Sequence, residues 1–437
     1  MRVAVYVIIA LSVLIGGTVR SVEARTALHD YVLQSQDAYE WYAHSRQTID
    51  NITWYELELV SQRWQETTWR HRLNILLPEN CASAKTALLF ITGSGSGRDE
   101  IQYLAPVAQR LQVPVAILHD VPNQPILGGL REDAAIAQTF MMFLESGDST
   151  VPLLIPMVKS AVQAMDAVSA FWQQYANGQE LSFVVSGASK RGWTTWLTAA
   201  VDSRVQAIAP IVYDNLDLPT QMEHQLAVWG AYSPQIRDYT QFDLQAQLDT
   251  PQGRALVEIV DPFAYRDKIS VPKMIIQGTN DPYWPVDALN LYYSELKGPT
   301  SIVYVPNEGH GLEDITRAQL GIAALMEGLR QNQPLPEFTW QYHMDSNGLT
   351  LRTTANRAER IRYWVADSAV RDFRDAEWRV VHEHNRTKQT NQAEGGLTSA
   401  TAVLQLPDTG YRAVFAEADF DFHGIPLSLS TQIKVLP

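Results

Sequence analysis

Three residues stand where a hydroxyl could be turned into a nucleophile. Ser189 lies in Gly187-Ala188-Ser189-Lys190-Arg191-Gly192-Trp193, behind the apolar run Phe183-Val184-Val185 and directly ahead of a helical pattern. A tight strand-to-helix bend there would push the hydroxyl clear of the backbone. The N–H of Lys190 would then stand at a helix N-terminus and could donate to a developing oxyanion. A serine hydroxyl needs a base, and the base needs a group that orients it. Asp281 follows the run 273–277 within Gly278-Thr279-Asn280-Asp281-Pro282. His310 follows the run 302–305 and sits between Gly309 and Gly311. Asp214, just beyond the run 205–212, is the alternative acid. Each residue taken singly would more often be structural or solvated. Together, in the order serine, acid, histidine at strand ends, they form a triad for acyl transfer.

Other residues at the same strand ends could assist. The loop Thr92-Gly93-Ser94-Gly95-Ser96-Gly97 leaves the run 88–91, and its glycines allow close backbone approach. It lacks the Gly-Lys-Ser/Thr ending of a phosphate loop, so it reads as a second oxyanion donor, from Gly93, Ser94 or Gly95. The loop His119-Asp120-Val121-Pro122-Asn123-Gln124-Pro125 adds Asn123 and Gln124 as candidate oxyanion- or substrate-binding groups. Lys190 has two open readings: an ion pair, or a group that favours a substrate carboxylate or the oxyanion. Arg191 reads as a salt bridge to an acid on a neighbouring helix. It also occupies the position where such bends usually carry a second glycine, and Gly192 follows it. Trp193, Trp196 and Trp284 read as core or pocket wall. The histidines have no metal-ligand spacing and Cys81 is single, so neither metal nor cofactor is called for. His382-Glu383-His384 reads as solvated.

These residues need a sheet to hold them. Continuous apolar runs at 88–91 and 113–118 have the character of strands buried on both faces. Further strands are expected at 205–212, 273–277 and 302–305, and paired edge strands at 53–60 and 63–77. Helical patterns fill 101–111, 131–144, 153–175 and 315–330, whereas 25–50 mixes helical and loop signals. Strands alternating with helices at this spacing make an α/β fold, a mostly parallel sheet with helices on both faces. The segment 217–267 reads as a helical cap. Pro334 and Pro336 then mark a linker, and short alternating runs between 349 and 435 predict a β-sandwich of immunoglobulin or fibronectin-III type. The domains expected are 25–332 and 337–437. The second would pack beside the first as a support or docking module, with 415–422 as a contact surface, and the domain could also touch a protein or envelope partner.

Composition narrows the setting. Arg2, the apolar run 3–15 and Val22-Glu23-Ala24 read as a signal peptide over 1–24, too short for a confident membrane span. The net charge of −14 argues against nucleic acid or an anionic membrane surface as partner. No stable membrane insertion is expected after cleavage. A lone cysteine in a large exported chain suits a bacterial periplasm better than an oxidising eukaryotic route.

Several runs together resemble the PhoPQ-activated pathogenicity-related proteins. They are Val121-Pro122-Asn123-Gln124-Pro125, Arg131-Glu132-Asp133-Ala134, Pro156-Met157-Val158-Lys159, Ala164-Met165-Asp166-Ala167 and the segment around Ser189. That family also includes a secreted autocrine proliferation repressor. The resemblance implies an α/β-hydrolase-like fold and, for bacterial members, export under envelope-stress control with a link to virulence or peptide resistance. It supplies no substrate. The residues after Ser189 are also similar to those of glucuronoyl esterases, where a basic residue follows the serine; that likeness is confined to the bend. The expectation is therefore an exported serine hydrolase of an ester or amide, periplasmic or secreted. The alternative is a secreted binding or signalling protein on the same fold.

Overall fold

The computed structural model describes residues 26–35, 37–49, 51–176, 179–345, 348–385 and 397–437. The signal peptide expected over 1–24 lies outside them. Nine strands form the main sheet: β1 (Glu40–Ile49), β2 (Ile52–Trp64), β3 (Thr67–Pro78), β4 (Thr86–Ile91), β5 (Val115–Leu118), β6 (Ser182–Ala188), β7 (Val205–Ile211), β8 (Lys273–Gly278) and β9 (Thr300–Val305). Their order is β1-β2-β3-β5-β4-β6-β7-β8-β9. The first three are antiparallel to their neighbours, and every pairing from β5 to β9 is parallel.

The parallel strands are apolar on both faces because helices cover both. Along β4, Leu89 and Ile91 join one core and Leu88 the other; along β6, Phe183 and Val185 oppose Val184. The first core is closed by α1 (Ala27–Leu33), α3 (Glu132–Ser146), α4 (Leu154–Tyr175) and α5 (Lys190–Val201). The second is closed by α2 (Arg98–Leu111) and by the helix at Thr316–Gln331. Between β7 and β8 the chain makes α6 (Leu218–Trp229), α7 (Arg237–Thr240), α8 (Leu244–Gln247) and α9 (Pro251–Val260), the cap expected over 217–267. The Thr316–Gln331 helix is then α10. This is an α/β-hydrolase-like fold. Among the described residues, no helix is long and apolar enough to cross a membrane.

Two antiparallel sheets follow. One joins β10 (Phe338–Asp345), β11 (Gly348–Asn356) and the strand Leu397–Leu404. The other contains β12 (Arg360–Ser368), β13 (Arg379–Asn385), and, past β14 (the strand at Leu397–Leu404), β15 (Tyr411–Phe422), β16 (Ile425–Ser430) and β17 (Lys434–Leu436). The two meet face to face, with the hydroxyls of Thr353 and Tyr363 2.9 Å apart between them. They share a core with the main sheet and α10, and Tyr304 N on β9 donates to Ser430 Oγ at 3.0 Å.

Two expectations need correction. Residues 25–50 contain β1, whose side chains are almost all exposed and so lack the apolar alternation that reveals a strand. β10 begins before the first strand expected after the linker. The stretch 415–422 lies in β15, with Phe415, Glu417, Phe420 and Phe422 buried, and it meets the α/β-hydrolase-like body: the Phe415 ring lies 5.4 Å from that of Tyr304 on β9. Glu417 there meets Arg317 of α10 and Arg362 of β12. A fully buried carboxylate needs such partners.

Candidate active site

Ser189 occupies the bend between β6 and α5 with φ 58° and ψ −125°, a conformation that L-residues adopt only where the surroundings enforce it. Two glycines permit this. A Cβ on Gly187 would come within 2.8 Å of Ile91 O, and one on Gly192 within 2.9 Å of Tyr213 Cβ. The close approach between α5 and β7 therefore falls at Gly192, which frees position 191 for an arginine. Lys190 N–H belongs to the first turn of α5, where amides have no intrahelical acceptor.

The loops after β8 and β9 carry the candidate acid and base, Asp281 and His310. His310 Nε2 lies 2.8 Å from Ser189 Oγ, and His310 Nδ1 lies 2.7 Å from Asp281 Oδ2. The other oxygen of Asp281 accepts Tyr283 N–H at 2.9 Å, and the Tyr283 ring lies against the imidazole with centroids 4.1 Å apart. Asp281 thus makes the contact with His310. Asp214 instead accepts the Tyr292 hydroxyl at 2.6 Å. Burial pushes its carboxyl up to about 7, helped by the negative charges of Asp281 and Asp287 and opposed by the Tyr292 bond.

Both basic residues beside the serine are engaged. Arg191 Nη1 and Nη2 each donate to the Glu132 carboxylate at 2.7 Å, and Nε donates to Val121 O. Lys190 Nζ lies 3.1 Å from Asp133 and 3.3 Å from Glu132. Asp133 also accepts the Tyr239 hydroxyl from the cap at 2.9 Å. Burial would raise the Glu132 carboxyl, but the Arg191 hydrogen bonds, the charges of both cations and the Gln124 amide bring it down to about 2. Two cations and two anions make this cluster neutral. The partner of Arg191 is thus an acid at the start of a neighbouring helix, as its reading as a salt bridge requires.

The remaining candidates are placed as follows. Gly93 lies on the Arg191 guanidinium, where a Cβ would come within 2.6 Å of Nη2. Gly95 O accepts from Arg72. Ser94 and its two glycine neighbours are not among the residues that wall the cavity over Ser189. The Asn123 amide donates to Arg70 O, and the Gln124 amide both donates to and accepts from Glu132. These two side chains hold loops together and are not turned toward the serine. Trp193 and Trp284 line the cavity, and Trp196 is core. Among the described residues no cluster of three metal-ligating side chains occurs, and β13 exposes His382-Glu383-His384.

Sequence reasoning missed a contribution from the C-terminal region. Its segment 369–378 reaches the acid and base loops. Asn280 Nδ2 donates to Ala376 O at 2.7 Å and Arg374 O at 3.1 Å. Asn307 accepts Trp378 N–H at 2.7 Å and donates to Trp378 O at 3.0 Å. Two asparagines adjoining the acid and base segments were the available signal.

The fold and this arrangement define an α/β-hydrolase-like protein with a serine, histidine and aspartate in hydrogen-bonded series. The chain belongs to the PhoPQ-activated pathogenicity-related protein family, whose model matches residues 28–374. It is 33% identical to autocrine proliferation repressor protein A of Dictyostelium discoideum, over 90% of this chain and 86% of that one. Among solved structures it is similar to an acetyl xylan esterase from Paenibacillus sp. R4 (14% identity, TM-score 0.48, 65% of this chain and 86% of that one). A glucuronoyl esterase from Solibacter usitatus also matches (10% identity, TM-score 0.39, 65% and 86%).

Proposed function

We propose that the protein is an exported serine hydrolase acting on an ester or amide. One observation carries this: the imidazole of His310 lies within hydrogen-bonding distance of both Ser189 Oγ and Asp281. A protein that had kept only the fold, for binding or signalling, would have no need to hold that series in register.

Asp281 fixes His310 with Nδ1 protonated, leaving Nε2 free to take the serine proton. Ser189 Oγ then bonds to the substrate carbonyl carbon, whose π electrons move to oxygen. Lys190 N–H, at the start of α5, stabilises that oxyanion. Collapse expels the alcohol or amine, which takes the proton from Nε2, and water repeats the sequence on the acyl-serine. Cap helices over the serine favour a small ester over a polypeptide. Export through the segment 1–24 and an envelope-stress role in virulence belong to the same proposal.

Labelling with a fluorophosphonate probe tests it. Wild-type protein is expected to label at Ser189, and Ser189→Ala to lose all labelling. Labelling that persists at another residue, or none in the wild type, would defeat the reading.

A further inference from the structure

The cavity above Ser189 is open to solvent and has a volume of about 90 Å³, and its character restricts what it can hold. Leu244, Leu248, Leu256 and Val257 of the cap face Phe140 and Trp193 of the body. The charged side chains on its wall, Lys190 and Asp133, are paired with each other, and Asp133 also with Tyr239. No unpaired charge on the wall awaits a carboxylate, phosphate or ammonium group. Among the described residues three buried polar atoms on the wall are left over, one of them the side-chain oxygen of the half-buried Gln245. The other two belong to Asn215 and Tyr213, each 6% exposed: the Asn215 side-chain oxygen and the Tyr213 hydroxyl have no hydrogen-bond partner among the described residues. Both line the cavity. Buried polar atoms are normally satisfied, so unpaired ones on an apolar cavity beside the serine are groups for a substrate to satisfy.

We infer that the substrate carries one uncharged, apolar arm bearing a hydroxyl or amide group, which Asn215 and Tyr213 bind. This rests on the hydrolase reading above and specifies its substrate class. The apolar wall supplies affinity for the arm, and the polar pair selects among arms of equal length.

Two ester series test it: p-nitrophenyl esters from acetate to octanoate, and acetates of alcohols from methanol to octanol. In one series kcat/KM should rise with length, by about fourfold per methylene at full burial. Val257→Trp, which fills the cavity, should move the optimum to shorter arms. Among p-nitrophenyl or acetate esters whose eight-carbon arm carries a hydroxyl at successive positions, one position should be preferred over the plain arm by about tenfold. Asn215→Leu should lower that ratio, and Asn215→Leu together with Tyr213→Phe should bring it to about one; general damage to the site would lower both rates and leave the ratio.

Rates that stay level or fall with length in both series, while Ser189 still labels, overturn the inference and spare the hydrolase reading. So does a hydroxyl preference that survives undiminished in the double variant. If Ser189 does not label, calorimetry with octanamide and butyramide decides. Tighter binding of the longer amide upholds the cavity's selectivity without the chemistry, and equal or absent binding overturns it too.

Discussion

The two halves of the candidate triad are anchored by different parts of the chain. Ser189 is held inside the α/β unit: by its own strand and helix, and by the Arg191–Glu132 pair, which spans α5 and the start of α3. The acid and base loops are tied to each other, Asn280 N to Glu308 O at 2.9 Å and Asn307 N to Thr279 Oγ1 at 2.8 Å. They are then tied to 373–378 through Asn280 and Asn307. A nucleophile needs a strained bend that a strand and a helix can enforce locally. The loops bearing an acid and a base have no such frame, and here the C-terminal sheets provide it. The C-terminal region is therefore part of the site's support, closer to the chemistry than a module packed alongside.

The largest effect should come from the acid. Asp281→Asn leaves the imidazole in the wrong tautomer and should lower kcat by about 10⁴-fold. Asp214→Asn, one strand away and bonded to Tyr292, should change it by less than about tenfold. Steady-state rates on a common ester check both. A reversal would move the acid to the end of β7 and undo the account of how the base is held.

The asparagines come next. Asn307→Ala removes two bonds to Trp378, which should cost about 2 kcal/mol of stability. Its effect on kcat should be larger than that suggests, about 10- to 100-fold, because small displacements of a base are costly to the reaction. Labelling at Ser189 should slow to the same extent. If Asn307→Ala labels as fast as wild type after correction for unfolded protein, the C-terminal sheets support the fold only. Glu132→Ala is the matching test on the serine side. It leaves Arg191 and Lys190 without their shared acid and should cost about 1–3 kcal/mol, below the range for a fully buried pair because Glu132 is 38% exposed. Its effect on kcat should stay within a few-fold, since the bend is fixed by Gly187 and Gly192 as well. A melting curve beside the rate measurement separates the two.

How far these features can be read from sequence follows the same division. The bend at Ser189 is local, written in a buried strand, a glycine and a helix within about a dozen residues, and it is legible. The acid and base are legible as residues because each follows an apolar run. Their anchorage is not: Asn280 and Ala376, like Asn307 and Trp378, are remote in the chain, and no periodicity links them. The partner of Arg191 was readable as a kind of residue but not as Glu132, since the pairing depends on how α3 and α5 pack. Asn123 and Gln124 stand at the right sheet edge, yet whether an amide faces a substrate or a backbone carbonyl is decided by loop geometry. β1 escaped because an exposed edge strand has no apolar face to betray it.

The smallest effect on turnover, and the sharpest contrast between the halves, should appear in stability against pH. Asp214, on the acid side, is buried without a cation, and its carboxyl is raised from 3.8 to about 7. The native protein then binds the proton more tightly than the unfolded chain between those values. Stability from this group is lost as pH rises from about 4 to about 7 and is level above. Glu132, on the serine side, is lowered from 4.5 to about 2 by Arg191, Lys190 and Gln124 against the cost of burial. Its contribution is fully present above about 4.5 and is lost as pH falls toward 2. Asp214→Asn should therefore gain on wild type in denaturant midpoint as pH rises through about 4 to 7. Glu132→Gln should fall behind wild type above about pH 4.5 and recover as the pH drops. Asp261, also buried and raised to about 7, remains in both variants, so the difference from wild type isolates each group. Parallel curves for the two variants would mean that the two halves share one electrostatic environment, and the division of anchorage drawn from their contacts would not extend to their charges.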